Sequence, residues 1–193
     1  MSGTPVEAVV IGASAGALEA LSVILPGLPA DYPLAVLVVV HVPPDKKSIL
    51  AELFQAKCRV QVREAEDKEP IAAGTVYFAP PDYHLLVETD KNLSLSSDEP
   101  VLYSRPSLDV LFESAADAYG PALVAIVLTG ANEDGAQGGR AVGEAGGKVI
   151  VQRPQGAYAS AMPESAIAQW PDAEILSLEE IASYLQNIGK SGL

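Results

Sequence analysis

Residues 6–25 read VEAVVIGASAGALEALSVIL, and this stretch decides the fold. Val6 to Ile11 is an almost continuous apolar run of strand length, as expected for a strand buried on both faces of a parallel sheet. Gly12 ends this run, and Ala17 to Leu25 reads as a helix that Pro26 stops. A strand that turns through small residues into a helix predicts the first half of a βαβ unit.

The same alternation continues along the chain. Buried strands are predicted over Leu34–Val40, Leu123–Leu128 and Lys148–Gln152, with a short strand over Val60–Arg63. Helices are predicted over 48–55, 107–119, 136–145, 163–168 and 178–187. Segments 75–79, 84–88 and 93–96 alternate with turn residues and predict a small antiparallel extension. The fold class is therefore α/β, a doubly wound and mostly parallel sheet with helices on both faces, in one domain over residues 1–193.

Composition excludes several classes of function. The chain of 193 residues has 12 Lys and Arg against 25 Asp and Glu, a net charge of −13, which disfavours nucleic-acid binding. Cys58 is the single cysteine, so no intrachain disulfide can form, and the first residues do not show the basic and then apolar pattern expected of a secretory leader. No apolar run is long enough to span a bilayer. We expect a cytoplasmic protein without membrane insertion, and neither a metal site nor a cofactor is indicated.

Three residues suited to acyl transfer follow three of the predicted buried strands. Ser14 follows the first, His41 the second, and Asp134 lies in the loop after Leu123–Leu128. Ligands bind at the carboxyl ends of strands in open parallel sheets, so we expect the three side chains at one edge. A serine needs a base to take its proton, and a carboxylate orients the histidine that acts as this base.

The turn around Ser14 favours the same chemistry. Gly12, Ser14 and Gly16 form a Gly-x-Ser-x-Gly pattern, in which small residues allow a sharp strand-to-helix turn that exposes the hydroxyl. The backbone N–H of Ala15, or one from the loop 130–132 with Ala131 as the candidate, could bind a developing oxyanion. The same turn could instead bind a phosphate, and the chain order Ser, His, Asp differs from that of α/β-hydrolases.

Other polar residues have simpler interpretations. His84 lies in the predicted antiparallel extension, where a structural or rim position is favoured. Glu133 competes with Asp134 for the role of the acid. Asp82 is interpreted as a turn residue and Asp109 as a residue that starts a helix behind an N-cap.

Seven segments resemble the catalytic domain of chemotaxis protein-glutamate methylesterases of the CheB type. They lie in order over about residues 6–170: Val10-Ile11-Gly12-Ala13-Ser14 with Glu19-Ala20-Leu21, His41-Val42-Pro43-Pro44, Ala65-Glu66-Asp67, Tyr77-Phe78-Ala79-Pro80-Pro81, Arg105-Pro106-Ser107-Leu108-Asp109-Val110-Leu111-Phe112, Leu128-Thr129-Gly130 with Asp134-Gly135-Ala136, and Met162-Pro163. A C-terminal helix over about 178–187 follows them.

The resemblance implies a serine esterase with a triad in the chain order Ser, His, Asp, which falls on Ser14, His41 and Asp134. It implies hydrolysis of glutamate γ-methyl esters on chemoreceptors with release of methanol, and allows deamidation of receptor glutamines. The implied partner is a methylated cytoplasmic receptor helix, and a separate response regulator or kinase is a further partner that the family allows. Typical members carry an N-terminal receiver domain, and the resemblance covers the catalytic domain without it.

Two other functions remain open at this point. The family often has Thr where this chain has Ala15, and it commonly has a Gly and an uncharged polar residue in the loop where this chain has Ala131-Asn132-Glu133. These changes and the charge of −13 motivate a second interpretation, a catalytically silent module that binds a receptor or signalling partner. An acidic methylated helix would be repelled by an acidic surface unless arginines such as Arg105 or Arg140 offset its charge. A small-molecule carboxylesterase would use the same triad.

Overall fold

The computed structural model describes residues 3–43 and 48–190. The strands in these ranges are β1 (Ala8–Ala13), β2 (Ala35–Val40), β3 (Gln61–Glu64), β4 (Thr75–Phe78), β5 (His84–Val87), β6 (Leu93–Ser96), β7 (Leu123–Val127), β8 (Lys148–Gln152) and β9 (Glu174–Leu176). The helices are α1 (Ala17–Ile24), α2 (Leu50–Lys57), α3 (Leu108–Tyr119), α4 (Ala136–Glu144), α5 (Ala161–Gln169) and α6 (Leu178–Ile188). Pro44, which belongs to one quoted segment, lies outside the described residues.

The main sheet has the strand order β3-β4-β2-β1-β7-β8-β9, and all of its pairs are parallel. The chain builds outward from β1 in one direction through β2, then returns to the other side of β1 with β7. This reversal is the topological switch point of a doubly wound sheet, and it confirms the predicted fold class.

Two details of the predicted sheet are wrong. The segment 75–79 was expected in the antiparallel extension, but β4 pairs in parallel with both β2 and β3. All four residues of β4 are buried, because it is an interior strand covered on both faces. Only β5 and β6 form the antiparallel pair. The edge strand β9 was not predicted, since its three residues are partly exposed and form no apolar run.

Each face of the sheet has its own hydrophobic core. Val9, Ile11 and Ala13 of β1 point to the face covered by α1, α2 and α6. Ala8 and Val10 point to the opposite face, covered by α3, α4, α5 and the β5–β6 hairpin. Successive strand residues alternate between the faces, so a strand of six buried residues supplies both cores at once.

The end of β1 lies unusually close to the start of α3. A Cβ atom added to Gly12 would lie 2.0 Å from Cδ2 and 2.2 Å from Cγ of Leu108, whose side chain is fully buried. Glycine at position 12 therefore lets the first turn of α3 rest directly on the carboxyl end of the sheet.

We expect Gly12→Ala to lower the free energy of unfolding by roughly 1–3 kcal/mol, because the new methyl group overpacks a site that Leu108 already fills. Urea denaturation with a constant m value would measure the loss. Gly156→Ala is the matched control, since a Cβ there meets no atom within 4 Å. Equal stability of the two variants would contradict the close packing of α3 on β1.

Among the residues that the structure describes, no helix is both long enough and apolar enough to cross a membrane.

Candidate active site

The parallel register of β1 and β2 places Ser14 beside His41. Ala13 pairs with Val40 at the end of the two strands, so the next residues along each chain are Ser14 and His41. The backbone N–H of His41 donates to the carbonyl oxygen of Ala13 at 3.2 Å, which extends the pairing by one step. Neighbouring strands lie about 5 Å apart, so the two side chains leave the sheet as neighbours.

His41 contacts the third predicted residue directly. Its Nε2 lies 2.8 Å from Oδ2 of Asp134, whose side chain is fully buried, while 12% of the His41 side chain is exposed. Glu133 is exposed, and of the two candidate acids only Asp134 contacts His41 among the described residues. With Nε2 directed at a carboxylate, Nδ1 is the ring nitrogen that this contact leaves available.

Asp134 is surrounded by donors from the first turn of α3. Its Oδ1 accepts from the Ser107 hydroxyl at 2.9 Å and from the Asp109 N–H at 3.0 Å. Its Oδ2 accepts from the Leu108 N–H at 2.7 Å. Burial by itself raises the pKa of Asp134, but the hydrogen bonds from His41 and from the two N–H groups outweigh it and bring the pKa below its usual range. The carboxyl group is therefore ionised at neutral pH.

Ser107 and Asp109 do more than the sequence indicated. Ser107 holds the predicted N-cap position of α3, but its hydroxyl donates to Asp134 and makes no capping bond to its own helix. Asp109 starts α3 as predicted, and its Oδ1 also accepts from the N–H groups of Gly135 at 2.9 Å and Gly138 at 2.7 Å. Asp109 thus caps the N-terminus of α4. A local sequence pattern could not predict this role, because the two N–H groups that donate to Asp109 lie 26 and 29 residues later in the chain.

Asp109 is a second carboxyl group buried beside Asp134. Desolvation is the main cause that raises the pKa of Asp109, to about 6, and the negative charge of Asp134 adds to it. The hydrogen bonds from Gly138 and Gly135 act in the opposite direction but do not cancel it. The same region therefore contains one carboxyl group that is readily ionised and one that resists ionisation.

The turn that carries Ser14 is held by the strand on its other side. The N–H of Ser14 donates to the carbonyl oxygen of Thr129 at 2.9 Å, and the Thr129 hydroxyl donates to the carbonyl oxygen of Ala15 at 2.8 Å. Thr129 is a positioning residue that sequence reasoning missed, although it lies in a quoted segment. The Ser14 hydroxyl makes no hydrogen bond to the described residues.

The candidate oxyanion donors divide into occupied and free groups. The N–H of Gly130 donates to the carbonyl oxygen of Ala159 at 3.1 Å, which removes it from the loop 130–132 as a candidate. Within the described ranges, the N–H groups of Ala15 and Ala131 have no hydrogen-bond partner. Both candidates named from the sequence are thus available to a ligand.

His84 and Asp82 make no hydrogen bond to the serine, histidine or aspartate of this site, although Asp82 lines a hollow of about 110 Å³ together with His41. His84 is buried in β5, with Nε2 at 2.9 Å from the carbonyl oxygen of Glu99, and does not reach the site. Asp82 occupies a turn with positive φ and pairs with Arg105 at 2.7 Å. In residues 3–43 and 48–190, no group of three or more His, Cys, Asp or Glu side chains is placed to hold a metal ion.

The raised pKa of Asp109 predicts a pH-dependent stability. The ordinary pKa of an aspartate is about 4, so the folded protein binds this proton more tightly than the unfolded chain. This tighter binding of the proton stabilises the folded protein fully below about pH 4, and the stabilisation is lost as the pH rises through about 6. Asp109→Asn keeps an acceptor for Gly135 and Gly138 but does not titrate, so we expect its stability relative to wild type to improve by roughly 1–3 kcal/mol between pH 4 and pH 7.5.

Urea denaturation of both proteins across this pH range would measure the difference. Gln137→Ala, an exposed and uncharged change on α4, should show a difference from wild type that does not vary with pH. A pH-independent difference for Asp109→Asn as well would contradict the perturbed carboxyl group.

Comparison with known proteins places this site in a family. The family model described as CheB methylesterase matches residues 9–185. A protein from Leptospira interrogans named "Putative protein-glutamate methylesterase/protein-glutamine glutaminase" is 43% identical over 187 residues, 97% of each chain. A protein from Methanosarcina mazei named "Protein-glutamate methylesterase/protein-glutamine glutaminase 2" is 36% identical over 92% of this chain, which spans 50% of that relative. The crystal structure of the Thermotoga maritima CheB methylesterase catalytic domain superposes with a TM-score of 0.90 at 31% identity, covering 96% of this chain and 100% of that one. The chain carrying this serine, histidine and aspartate at one sheet edge therefore belongs to the CheB methylesterase family.

Proposed function

We propose that this protein hydrolyses glutamate γ-methyl esters on chemoreceptors and releases methanol, with Ser14 as the nucleophile, His41 as the base and Asp134 as the acid of a triad. The observation that carries the proposal is the 2.8 Å contact between His41 and a buried, ionised Asp134, next to a serine on the adjoining strand. Family membership and the names of the relatives support the same reaction.

The reaction would proceed through an acyl-enzyme. Nδ1 of His41 takes the proton of the Ser14 hydroxyl as Oγ attacks the ester carbonyl carbon. The C–O bond to the methoxy group then breaks, and His41 gives its proton to the departing oxygen, so methanol leaves. His41 then takes a proton from water as the water oxygen attacks the acyl carbon. The C–Oγ bond breaks, and His41 gives this proton to Oγ, which leaves a glutamate on the receptor and restores the Ser14 hydroxyl.

Asp134 would act through His41. Its contact with Nε2 holds the ring so that Nδ1 is unprotonated and faces the serine, and its charge stabilises the imidazolium that forms. The donors at the start of α3 keep this carboxyl group ionised while it is buried.

The N–H groups of Ala15 and Ala131 would bind the oxyanion of the tetrahedral intermediate. Ala15 follows the nucleophile directly, and Ala131 lies in the loop between β7 and Asp134. An N–H without an internal acceptor can donate to the oxyanion at no cost to the fold. Because these donors belong to the backbone, the replacement of the family's Thr by Ala15 leaves them in place.

The same apparatus suits a primary amide, since His41 can protonate a departing ammonia as it protonates methanol. We therefore include deamidation of receptor glutamines, a reaction that the names of both relatives contain. The proposed partner is a methylated cytoplasmic helix of a chemoreceptor, which places the activity in the cytoplasm. We propose further that residues 1–193 act as one catalytic domain.

A catalytically silent binding module is the less favoured alternative, because it would not need an aligned histidine and a fully desolvated aspartate. A small-molecule carboxylesterase would share the triad and differ only in the ester that it prefers. The phosphate-binding interpretation of the turn is disfavoured by His41, which lies beside the turn and is bonded to a carboxylate.

Ser14→Ala should abolish methanol release from a methylated receptor fragment, because no acyl-enzyme can form. Gas chromatography of the released methanol would measure this. Ser22→Ala is the matched control, since the Ser22 hydroxyl is exposed on α1 and donates to the Leu18 carbonyl oxygen. Release that persists in Ser14→Ala, or no release from folded wild type, would refute the proposed reaction.

Asp134→Asn should lower kcat by roughly 10³–10⁴-fold, because the amide holds His41 in the wrong tautomer and leaves the imidazolium without a counter-charge. Steady-state kinetics on the receptor fragment would measure the loss. Glu133→Gln changes the neighbouring exposed carboxylate and should retain activity within a few-fold. Comparable losses in both variants would contradict the assignment of Asp134.

A further inference from the structure

A tight turn at Leu102 and Tyr103 has an unusual backbone. Val101 and Ser104 exchange two backbone hydrogen bonds, of 3.0 and 2.8 Å, so that only two residues form the turn. Both have positive φ, 49° at Leu102 and 64° at Tyr103. Two-residue turns with this geometry favour Asn and Gly, and a bulky side chain there costs backbone energy.

The two side chains gain little packing in return. Leu102 is 40% exposed and Tyr103 is fully exposed. A leucine and a tyrosine in water, on a backbone that disfavours them, contribute nothing evident to the fold. Conformations of this kind cluster at functional sites, where the strain serves an interaction outside the folded chain.

The turn stands directly beside the proposed active site. Tyr103 and His41 line one hollow of about 110 Å³, together with Val42 and Pro106. On the other side, Leu102 lines a groove of about 500 Å³ between α3, α4 and α5, with Val110 and Ala136 among its apolar residues. The turn thus lies between the hollow that His41 lines and the groove that Leu102 lines.

The base of the turn is held in place. Arg105 donates to Oδ1 of Asp82 through Nε at 3.0 Å and through Nη2 at 2.7 Å. Its Nη1 donates to the carbonyl oxygen of Ser97 at 2.8 Å. A turn presented on such a rigid base can bind a partner with little loss of conformational entropy.

Neither of the two described arginines named as candidates to attract an acidic helix is free to do so. Arg105 is engaged by Asp82, and Arg140 by Glu144 at 2.8 Å, so neither arginine is a free cation that could attract an acidic helix. Glu113 and Glu133 line the groove and add negative charge to it. At the described residues of the turn and the groove, contact with a receptor therefore rests on apolar and aromatic surface.

We propose that the Leu102–Tyr103 turn is the substrate-docking element of this enzyme, and that it packs against the receptor polypeptide next to the esterified glutamate. This rests on the proposed function, since the ester must reach Ser14 while the polypeptide beside it lies on the turn. Exposed tyrosines on a rigid backbone are typical anchors of protein interfaces. The turn distinguishes a protein-bound ester from a free one, because only the former has a polypeptide to place against it.

The test replaces the docking surface with the sequence that the turn itself favours. Leu102→Asn combined with Tyr103→Gly suits a backbone with positive φ at both positions, so the midpoint of thermal unfolding should stay equal or rise. Two values of kcat/KM would be measured, one for a methylated chemoreceptor cytoplasmic fragment and one for N-acetyl-glutamate γ-methyl ester amide. We expect the ratio of the first to the second to fall at least tenfold in the variant, chiefly because KM for the fragment rises. Tyr103→Asn alone should give part of the same fall.

Ile175→Asn is the matched control, since Ile175 is also 40% exposed but lies on the edge strand β9. It should leave the ratio unchanged. If wild type hydrolyses both esters and the turn variant keeps the ratio of wild type, the docking proposal is overturned and the proposed function stands. If folded wild type releases no methanol from the fragment, the proposed function and the docking proposal both fail.

Discussion

Two helices cap each other through one carboxylate apiece, and the site depends on this exchange. Asp134 precedes α4 and accepts the first N–H groups of α3, whereas Asp109 lies in α3 and accepts the first N–H groups of α4. Each carboxylate satisfies donors that a helix start cannot satisfy internally, and each helix start favours negative charge. The result is a pair of helix starts fixed to each other, from which Asp134 reaches His41.

This joint requires the backbones to approach closely. A Cβ on Gly138 would lie 2.6 Å from Cβ of Phe112 and 3.0 Å from Cα of Asp109, so only glycine lets α4 present its N–H to Asp109. Likewise, the absence of a side chain at Gly12 lets Leu108 at the start of α3 pack directly on β1. The close packing at these glycines keeps Asp134 fully buried. Hydrogen bonds are stronger in such a buried environment, and those of Asp134 stabilise its negative charge there.

The surroundings of the site divide into parts that stabilise it and parts that face a partner. The strands β1, β2 and β7 place the serine, histidine and aspartate loops on a fully buried base. The Leu102–Tyr103 turn does the opposite, since it holds apolar side chains in water on a backbone that disfavours them. Such a division is expected of an enzyme whose substrate is a protein, because the chemistry needs a rigid centre and recognition needs accessible surface.

The sequence alone was enough to predict the doubly wound parallel architecture and to place Ser14, His41 and a loop with two candidate acids, Glu133 and Asp134, at one sheet edge. Six buried residues in β1, followed by glycines and a helix, require a parallel interior strand, and parallel strands bring their following residues to one edge. Local patterns could not predict contacts between residues far apart along the chain. Tertiary structure alone decided that Asp134 rather than Glu133 meets His41, that Nε2 is the nitrogen it meets, and that Asp109 caps a helix 26 residues away. These outcomes depend on how closely α3 approaches the sheet and how closely it approaches α4. Side-chain packing determines both distances, and the hydrophobic periodicity of the sequence does not predict them.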